Sequence, residues 1–347
     1  MALQRVGKRL LQNTVYLAGF YKSESNSVAF KKVTTDTVAV NQNFRIVFDA
    51  GGPVDFDVDQ PVTMPVSVDI GDDLYIYANA DGDLVATKDS VGSPGVDFIR
   101  IGGFHYAPND NAALNVNGNW ANHTGAPGTA VPQINAYSFW DLKWRPSAAD
   151  PRGLTLVPGL REWWGMYPMN NGGVAGKPIH SYGVNPCRDG NPPLKRWADG
   201  TAYADATPMN IFELLASEGF RPPNAWNFQY AALGTTEQAA AGGSDPGNTG
   251  EQGTAQNKNR FVSAWGLFDI TGVINAWGAD SLPDNTQTAG VTQGRSNDRF
   301  RVSFFTLIGG DWNSAAAAGS RIVNTVSSSN SFTNIGGRGV CSHQVIP

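Results

Sequence analysis

Apolar and polar residues alternate over the first third of the chain, in the two-residue period that β-strands require. β-Branched and aromatic residues are frequent in these runs, which also favours strands. The Asp81-Gly82 step lies between two runs and supplies the positive φ that a tight hairpin needs. We therefore predict an antiparallel β sandwich or prism over residues 1–108. The predicted strands are Thr35–Val40, Phe44–Phe48, Val62–Ile70, Asp73–Asn79 and Asp83–Thr87.

Helical spacing of apolar residues occurs later in the chain. Ile211, Leu214 and Leu215 share one face of a predicted helix over Thr207–Gly219. Thr207 suits the cap of this helix, Pro208 its first position and Gly219 its exit. The aromatic-rich segment Ala225–Leu233 predicts a second, shorter helix.

Long polar segments separate these elements and set the predicted domain organisation. Residues 109–135 are rich in Asn, Gly, Ala and Pro and are interpreted as a linker or loop. The second domain is predicted over residues 136–347, with a strand at Arg299–Ile308, so that the fold class of the whole chain is α+β. Two further loops are predicted, a mobile or disordered one over Thr235–Asn259 and another over Ser281–Asp298.

The last forty or so residues have an unusual organisation. Gly309-Gly310-Asp311-Trp312-Asn313 and Gly336-Gly337-Arg338-Gly339-Val340-Cys341 place Gly, Trp and Arg in distinctive positions. Between them, small and polar residues follow neither helical nor strand period, and Phe332 is the large aromatic residue among them. This arrangement indicates a rigid frame around a surface that is free to change.

Composition excludes several classes of protein. The chain has 347 residues, enough for two domains, and its charged fraction is 16% with 40 Gly and 21 Pro, which favours β-structure with ordered loops. Net charge is −5 without a basic patch, so we expect no nucleic-acid partner. No segment has the ~20 consecutive apolar residues that cross a bilayer, and we expect no membrane insertion.

Cysteine usage and the N-terminus bear on where the protein works. The two cysteines, Cys187 and Cys341, are too few for a small disulfide scaffold. They could pair with each other, but we favour two buried free thiols, because a free cysteine packs as a small apolar residue. The apolar run within Met1–Tyr21 is too short and broken for a signal peptide. We therefore expect synthesis in the cytoplasm and delivery by some means other than this N-terminus.

Three carboxylates at Asp55, Asp57 and Asp59 alternate along one predicted strand. Clustered carboxylate oxygens suit Ca²⁺, which makes these residues candidate ligands of a structural calcium ion. The alternative is a solvated strand face, which we favour because nothing nearby completes a ligand set. No other cofactor is expected, and the four histidines show no metal-ligand spacing.

The segment Phe261–Trp277 resembles a signature of formylglycine-generating-enzyme-like domains, a branch of the C-type lectin fold. The matching residues are Gly266, Leu267, Asp269, Gly272 and Trp277. Val273 and Ala276 stand where that family usually has Asn and Glu. In physical terms, Gly266 and Gly272 permit tight turns, Asp269 can accept bonds from loop amides, and Trp265 and Trp277 are large anchors. We interpret the motif as structural.

The C-terminus resembles the variable proteins of diversity-generating retroelements, which use the same fold. The matching pattern comprises Gly309, Gly310, Trp312, Asn313, Gly319, Ser320, Arg321, Gly336, Arg338, Gly339, Val340, Cys341 and His343. Diversity-generating retroelements introduce mutations at adenines of a template sequence, which is rich in the Asn codons AAC and AAT. Replacing the two adenines of these codons cannot produce a codon for Lys, Glu, Gln, Met or Trp. Residues 314–334 contain none of those five amino acids, which agrees with the resemblance.

The resemblance implies a variable region over about 312–341 with two kinds of residue. The implied framework residues are Trp312, Asn313, Arg321, Gly336, Arg338 and Cys341. The implied ligand-binding residues are Ser314, Ala315, Ala317, Asn324, Val326, Asn330, Phe332, Thr333 and Asn334.

The function implied is non-catalytic ligand binding through a diversified surface. The role that fits best is that of a phage tail-fibre protein that binds a receptor on the host cell surface. We expect this receptor to be a protein, and we expect the phage protein to form a homotrimer in the virion. The N-terminal β domain then serves oligomerisation or attachment. One alternative is a host bacterial variable protein in the cytoplasm or at the cell surface. Another is an oxidase of the formylglycine-generating type, for which Cys187 and Cys341 would have to meet.

Overall fold

The computed structural model is mainly β-sheet with few helices in the part of the chain that it describes. The described residues are 19–49, 51–108, 132–242, 245, 247–250, 261–283, 303–327 and 329–346. They fall into two compact units. The first comprises the described residues up to 108 with 132–147 and those from 342 onward, and the second comprises those between 148 and 341. Residues 136–147 and 342–346, assigned from sequence to the second domain, thus belong to the first unit.

The first unit is built from antiparallel strand pairs, as predicted. Its sheets have the strand orders β1-β4-β5, β2-β3-β6 and β10-β9-β7-β8, and β11 also pairs with β9. The strands are β1 Phe20–Lys22, β2 Phe30–Lys32, β3 Val38–Val40, β4 Phe44–Phe48, β5 Gly52–Phe56, β6 Pro61–Val62, β7 Asp73–Ala78, β8 Leu84–Lys88, β9 Ile99–Ala107, β10 Gln133–Ile134, β11 Trp140–Asp141 and β12 Trp144–Pro146.

Sequence periodicity located β3, β4, β7 and β8, and one of the five predicted strands failed. The predicted hairpin forms with Gly82 at φ 88°. The predicted strand Val62–Ile70 is wrong, because pairing does not continue beyond Thr63. Pro65 lies in that segment and has no N–H to donate to a ladder. Aromatic residues fill the core, where the rings of Phe44 and Phe56 stack with centroids 4.8 Å apart.

The carboxylates considered as calcium ligands are not arranged along one strand. β5 ends at Phe56, so Asp57 and Asp59 lie beyond it. Asp55 binds Arg45 through two hydrogen bonds of 2.7 Å, and Asp59 pairs with Lys31 at 2.7 Å. Within the described ranges, no group of three or more His, Cys, Asp or Glu side chains could hold a metal ion.

The second unit combines a β-hairpin, a sheet of order β17-β16-β15-β18 and two helices. Its elements are β13 Leu154–Val157, β14 Glu162–Gly165, α1 Pro208–Ser217, α2 Ala225–Ala231, β15 Asn275–Pro283, β16 Ser303–Gly309, β17 Gly319–Ser327, β18 Ile335–Gly336 and the first residues of β19 Val340–Val345, with short 3-10 turns at Pro158–Leu160 and Ala315–Ala317. No helix in the described ranges is long and apolar enough to cross a membrane.

Both predicted helices are present with slightly shorter bounds. Pro208 occupies the first turn of α1 as predicted, whereas the Thr207 side chain makes no capping bond. The predicted loop over Ser281–Asp298 is wrong for residues 281–283, which continue β15, and its remainder lies outside the described residues. The predicted linker 109–135 and the N-terminal segment Met1–Tyr21 also lie largely outside them.

The lectin-like signature supports tight turns, as predicted. Gly266 and Gly272 have φ values of 72° and 68°, and Asp269 accepts a hydrogen bond from the Gly250 amide. Trp277 is completely buried. Trp265 is only half-buried and stacks on Tyr230 with ring centroids 5.6 Å apart, so it is a less central anchor than predicted.

Candidate functional site

The candidate variable region starts from a turn that only glycine fits. Gly309 and Gly310 have φ values of 94° and 77°, in the left-handed region. A Cβ atom on Gly310 would lie 2.6 Å from Ala318 Cα. After this turn the chain forms the 3-10 turn and then β17, which pairs antiparallel with β16. Gly309 at the end of β16 therefore lies opposite Gly319 at the start of β17, which brings the two ends of the segment 309–319 together.

Asp311 is the hydrogen-bonding centre of the region. Its carboxylate is 5% exposed and accepts the side-chain amides of Asn275 at 2.7 Å and Asn334 at 2.6 Å. It also accepts the backbone amide of Asn313 at 2.8 Å, and its own amide donates to Ser314 Oγ at 3.0 Å. One buried carboxylate thus joins the start of the region to its end, 23 residues later.

The backbone carbonyls of Phe332, Thr333 and Asn334 are each held by another part of the second unit. Phe332 O accepts the Asp189 amide at 3.3 Å, and Asn334 O accepts the Asn275 amide at 3.0 Å. Thr333 O accepts a bond of 3.3 Å from the Arg188 guanidinium. The main chain is fixed here by bonds that do not depend on the side chains of Phe332 and Thr333.

Residues 235–242 fix the main chain at the start of the region, between Trp312 and Ser320, in the same way. Trp312 O accepts the Gly242 amide at 3.0 Å, and Ala318 O accepts the Gln238 amide at 2.8 Å. The Glu237 carboxylate accepts both the amide and the hydroxyl of Ser320. This described part of the predicted mobile loop is therefore tied down, which corrects the sequence interpretation. The predicted loop's residues 243, 244, 246 and 251–259 lie outside the described part of the chain.

The residues predicted to bind ligand lie at the surface to different degrees. Ala315, Ala317, Asn324, Phe332 and Thr333 are exposed. Ser314, Val326, Asn330 and Asn334 are half-buried. Of these, Ser314 and Asn334 bond to Asp311, so both support the frame as well as facing outward.

The residues predicted as framework differ in their burial. Arg338, Gly336 and Cys341 are buried. Trp312 is half-buried, with the Arg188 guanidinium 5.9 Å from its ring centre. Asn313 and Arg321 are exposed, and the Arg321 guanidinium lies 3.9 Å from the Glu237 carboxylate.

Arg338 is the most deeply buried cation of the frame. Its guanidinium donates to Gly165 O and to Phe268 O, each at 2.5 Å, and it is 2% exposed. Burial lowers the pKa of Arg338 to about 9, while the nearby Asp269 acts in the opposite direction. The side chain is therefore still charged at neutral pH, and it links the β14 hairpin and the Phe268 turn to the chain just before β19.

Sequence reasoning missed Asp311, Arg188 and Glu237 as parts of the site. Asp311 stands inside the quoted Gly-Gly-Asp-Trp-Asn motif, so its position between Gly and Trp was an available signal. Arg188 is separated from Thr333 by 145 residues, and its sequence context shows only a turn. Glu237 lies in a segment that resembles a featureless polar loop.

His180 supports the chain between the frame residues Arg338 and Val340, and it gives an acid-stability prediction. Its Nδ1 lies 2.9 Å from Tyr167 O, and Gly339 N donates to its Nε2 at 3.2 Å, so Nδ1 carries the proton of a neutral ring. Burial, and then the charge of Arg338, lower the pKa of His180 to about 3. Below pH 6.5 this histidine is protonated in the unfolded chain but stays neutral in the folded chain. The free energy of unfolding therefore falls by up to about 1.4 kcal/mol per pH unit down to pH 3.

We expect His180→Gln to flatten this loss, because glutamine accepts the Gly339 amide without titrating. The free energy of unfolding is measured by urea denaturation between pH 7 and pH 4 in both proteins. Equal pH dependence in the two proteins would contradict the assignment.

Comparison with known proteins identifies the family. Residues 28–141 match the family described as Mtd second domain. The chain is 33% identical over 356 residues to the tail fiber receptor-binding protein of Bordetella phage BPP-1, covering 98% of this chain and 88% of that protein. The chain belongs to the major tropism determinant family. The resemblance to retroelement variable proteins is thereby confirmed.

Solved structures of the family agree with this assignment. The U1, M1 and P3c variants of the major tropism determinant each superpose with a TM-score of 0.81 at 33% sequence identity. Each comparison covers 94% of this chain and 86% of the determinant. The fold of the described residues is therefore the fold of the family.

Proposed function

We propose that this protein is a phage tail-fibre receptor-binding protein whose ligand contacts are made by the side chains exposed between Trp312 and Cys341. The observation that carries the proposal is the separation of main chain from side chains in this region. The carbonyls of residues 332–334 are held by Asp189, Arg188 and Asn275, while the side chains of Phe332 and Thr333 are exposed. Receptor binding is also what the name of the relative from Bordetella phage BPP-1 states of that protein.

The proposed mechanism is non-catalytic. Side chains change at the exposed positions, and the frame keeps the backbone in place, so recognition changes without refolding. Small residues such as Ala315 and Ala317 leave Phe332 as the main aromatic anchor, so each subunit binds weakly. Assembly as a homotrimer in the virion raises the overall affinity through multivalency. The receptor is a protein on the host cell surface.

The domain roles belong to the same proposal. The N-terminal β domain, residues 1–108, serves oligomerisation or attachment to the fibre. The C-terminal domain, predicted over 136–347, has the C-type lectin fold, so the chain as a whole is α+β. The core of this domain contains large, fully buried aromatic residues, among them Trp163, Trp164 and Trp277.

The cysteines do not support the oxidase alternative. Both are buried and neither forms a disulfide bond, as predicted. Burial raises the pKa of the Cys187 thiol well above its usual range, which disfavours the thiolate that nucleophilic or redox chemistry requires. The oxidase alternative predicts a turnover that is lost after Cys187→Ser or Cys341→Ser, and an oxidase assay of the parent protein and both variants tests it.

Exposed positions of the region are expected to tolerate replacement. We predict that Ala315→Tyr, Phe332→Ser and Thr333→Asn each change the free energy of unfolding by no more than about 0.5 kcal/mol, because these side chains are exposed. Chemical denaturation at pH 7 measures the effect. A loss of more than about 2 kcal/mol at Phe332 or Thr333 would show that the side chain belongs to the frame.

The diversification part of the proposal is tested by DNA sequencing. We expect a near-identical copy of the segment encoding residues 312–341 downstream of the gene, differing at adenines and lying beside a reverse-transcriptase gene. Tail genes as neighbours support a virion protein, and host genes as neighbours favour a bacterial variable protein. The absence of such a copy would leave a lectin-fold binding domain of fixed sequence.

A further inference from the structure

The sheet face that carries two of the variable positions continues onto apolar side chains outside the variable region. Val326 on β17 lies directly opposite Phe305 on β16, so the two side chains share a face. The Phe305 ring meets the Phe212 ring of α1 edge to face, with centroids 5.3 Å apart at 85°. Both rings are half-buried. An apolar row therefore runs from the variable strand to α1.

Met209 extends this row along the helix. It precedes Phe212 by three residues and so lies on the same side of α1. Its side chain is 59% exposed, which is unusual for so large an apolar residue. The start of α1 is tied to the variable region, because the amide of Ala206 donates to Ser331 Oγ at 3.0 Å. Phe332, the next residue, is 43% exposed.

We propose that Met209, Phe212 and Phe305 form a constant apolar patch that contacts the receptor protein beside Val326 and Phe332. This inference rests on the proposed receptor-binding function. A partner that covers Val326 meets Phe305 as well, because the two residues are paired in register. The occupant is therefore a folded protein that presents apolar side chains to this face.

The chemistry of the patch fits a partner that changes. Methionine is flexible and polarisable, and it adapts to differently shaped surfaces. Where the diversified side chains are small, a constant patch supplies affinity that does not depend on them. A second copy of the chain is a poor occupant of this patch. A subunit interface that includes position 326 would have to accommodate every side chain that diversification introduces at that position.

The test uses binders selected for one defined probe. A display library of the full chain is randomised at residues 315, 317, 324, 326, 332 and 333 and is selected against purified egg-white lysozyme. Several independent binders then receive Met209→Asp. We expect the Kd to rise about tenfold or more, because a charge replaces an apolar anchor in the interface. Met209→Leu is expected to retain most of the affinity.

The matched control is Trp226→Asp. Trp226 is 81% exposed on α2, and α2 packs through Phe228 with Ile308, whose side chain is on the opposite face of the sheet from Phe305. This substitution is expected to leave the Kd within about twofold of the parent binder.

Three results would overturn the inference. Binders that depend on the randomised residues but keep their Kd after Met209→Asp would overturn it alone. Binders indifferent to the randomised residues would overturn it together with the proposed function. A change in the sedimentation of the free protein after Met209→Asp would show that the patch is a contact between subunits.

Discussion

Replacing Arg338 with methionine is expected to lower the free energy of unfolding by about 4 kcal/mol at pH 7. The substitution keeps much of the side-chain volume but removes both bonds to the carbonyls of Gly165 and Phe268. Gly165 and Phe268 are both buried, and each buried acceptor left without a partner costs about 1–3 kcal/mol. Urea denaturation followed by tryptophan fluorescence measures the change.

Arg321 provides the matched control for this prediction. Both arginines were predicted as framework, but the Arg321 side chain is 75% exposed and its ion pair with Glu237 is long, at 3.9 Å. Arg321→Met is therefore expected to cost no more than about 0.5 kcal/mol. Equal losses for the two variants would show that burial does not distinguish their roles.

Replacing Asp311 with alanine is the second large effect, with an expected loss of about 3 kcal/mol. The side-chain amides of Asn275 and Asn334 and the Asn313 backbone amide all lose their acceptor. Asp311→Asn keeps the size but supplies one oxygen where three donors converge, so it is expected to lose a large part of the same stability. The free energy of unfolding at pH 7 is again the measured quantity.

Substitutions at Asn334 and Asn330 test whether the hydrogen bonds of Asp311 stabilise this end of the region. Asn334→Ala removes a bond to Asp311 and is expected to cost about 1.5 kcal/mol. Asn330→Ala is expected to cost no more than about 0.5 kcal/mol. If Asn334→Ala is as mild as Asn330→Ala, Asn334 is a freely variable position, as its place in the sequence predicts, and the network around Asp311 has less influence than its geometry indicates.

Local signals in the sequence located many of the elements. Pro208 and the spacing of Ile211, Leu214 and Leu215 gave α1 almost to the residue, because a helix depends on neighbours along the chain. The Asp81-Gly82 hairpin was equally local. The frame motifs around Trp312 and Arg338 gave the family, which the relatives then confirmed.

Contacts between distant segments could not be predicted in this way. The bond from Arg188 to Thr333 O and the bond from the Asn275 side-chain amide to the Asp311 carboxylate depend on how the second unit folds. In neither case does the local sequence indicate the distant partner. Arg321 shows the converse, because a residue within a matching motif proved to be exposed. Motifs predict which segments form the frame, whereas burial decides which side chains stabilise it.

One backbone that presents many surfaces can be recognised in crystal structures of two selected library variants that bind different proteins. We expect the Cα atoms of residues 311–341 to superpose within about 1 Å in the two variants. We also expect the bonds from the Asn275 side-chain amide to Asp311 and from Arg188 to Thr333 O to persist in both. Main-chain shifts of more than about 2 Å within the region, with those bonds broken, would contradict this expectation.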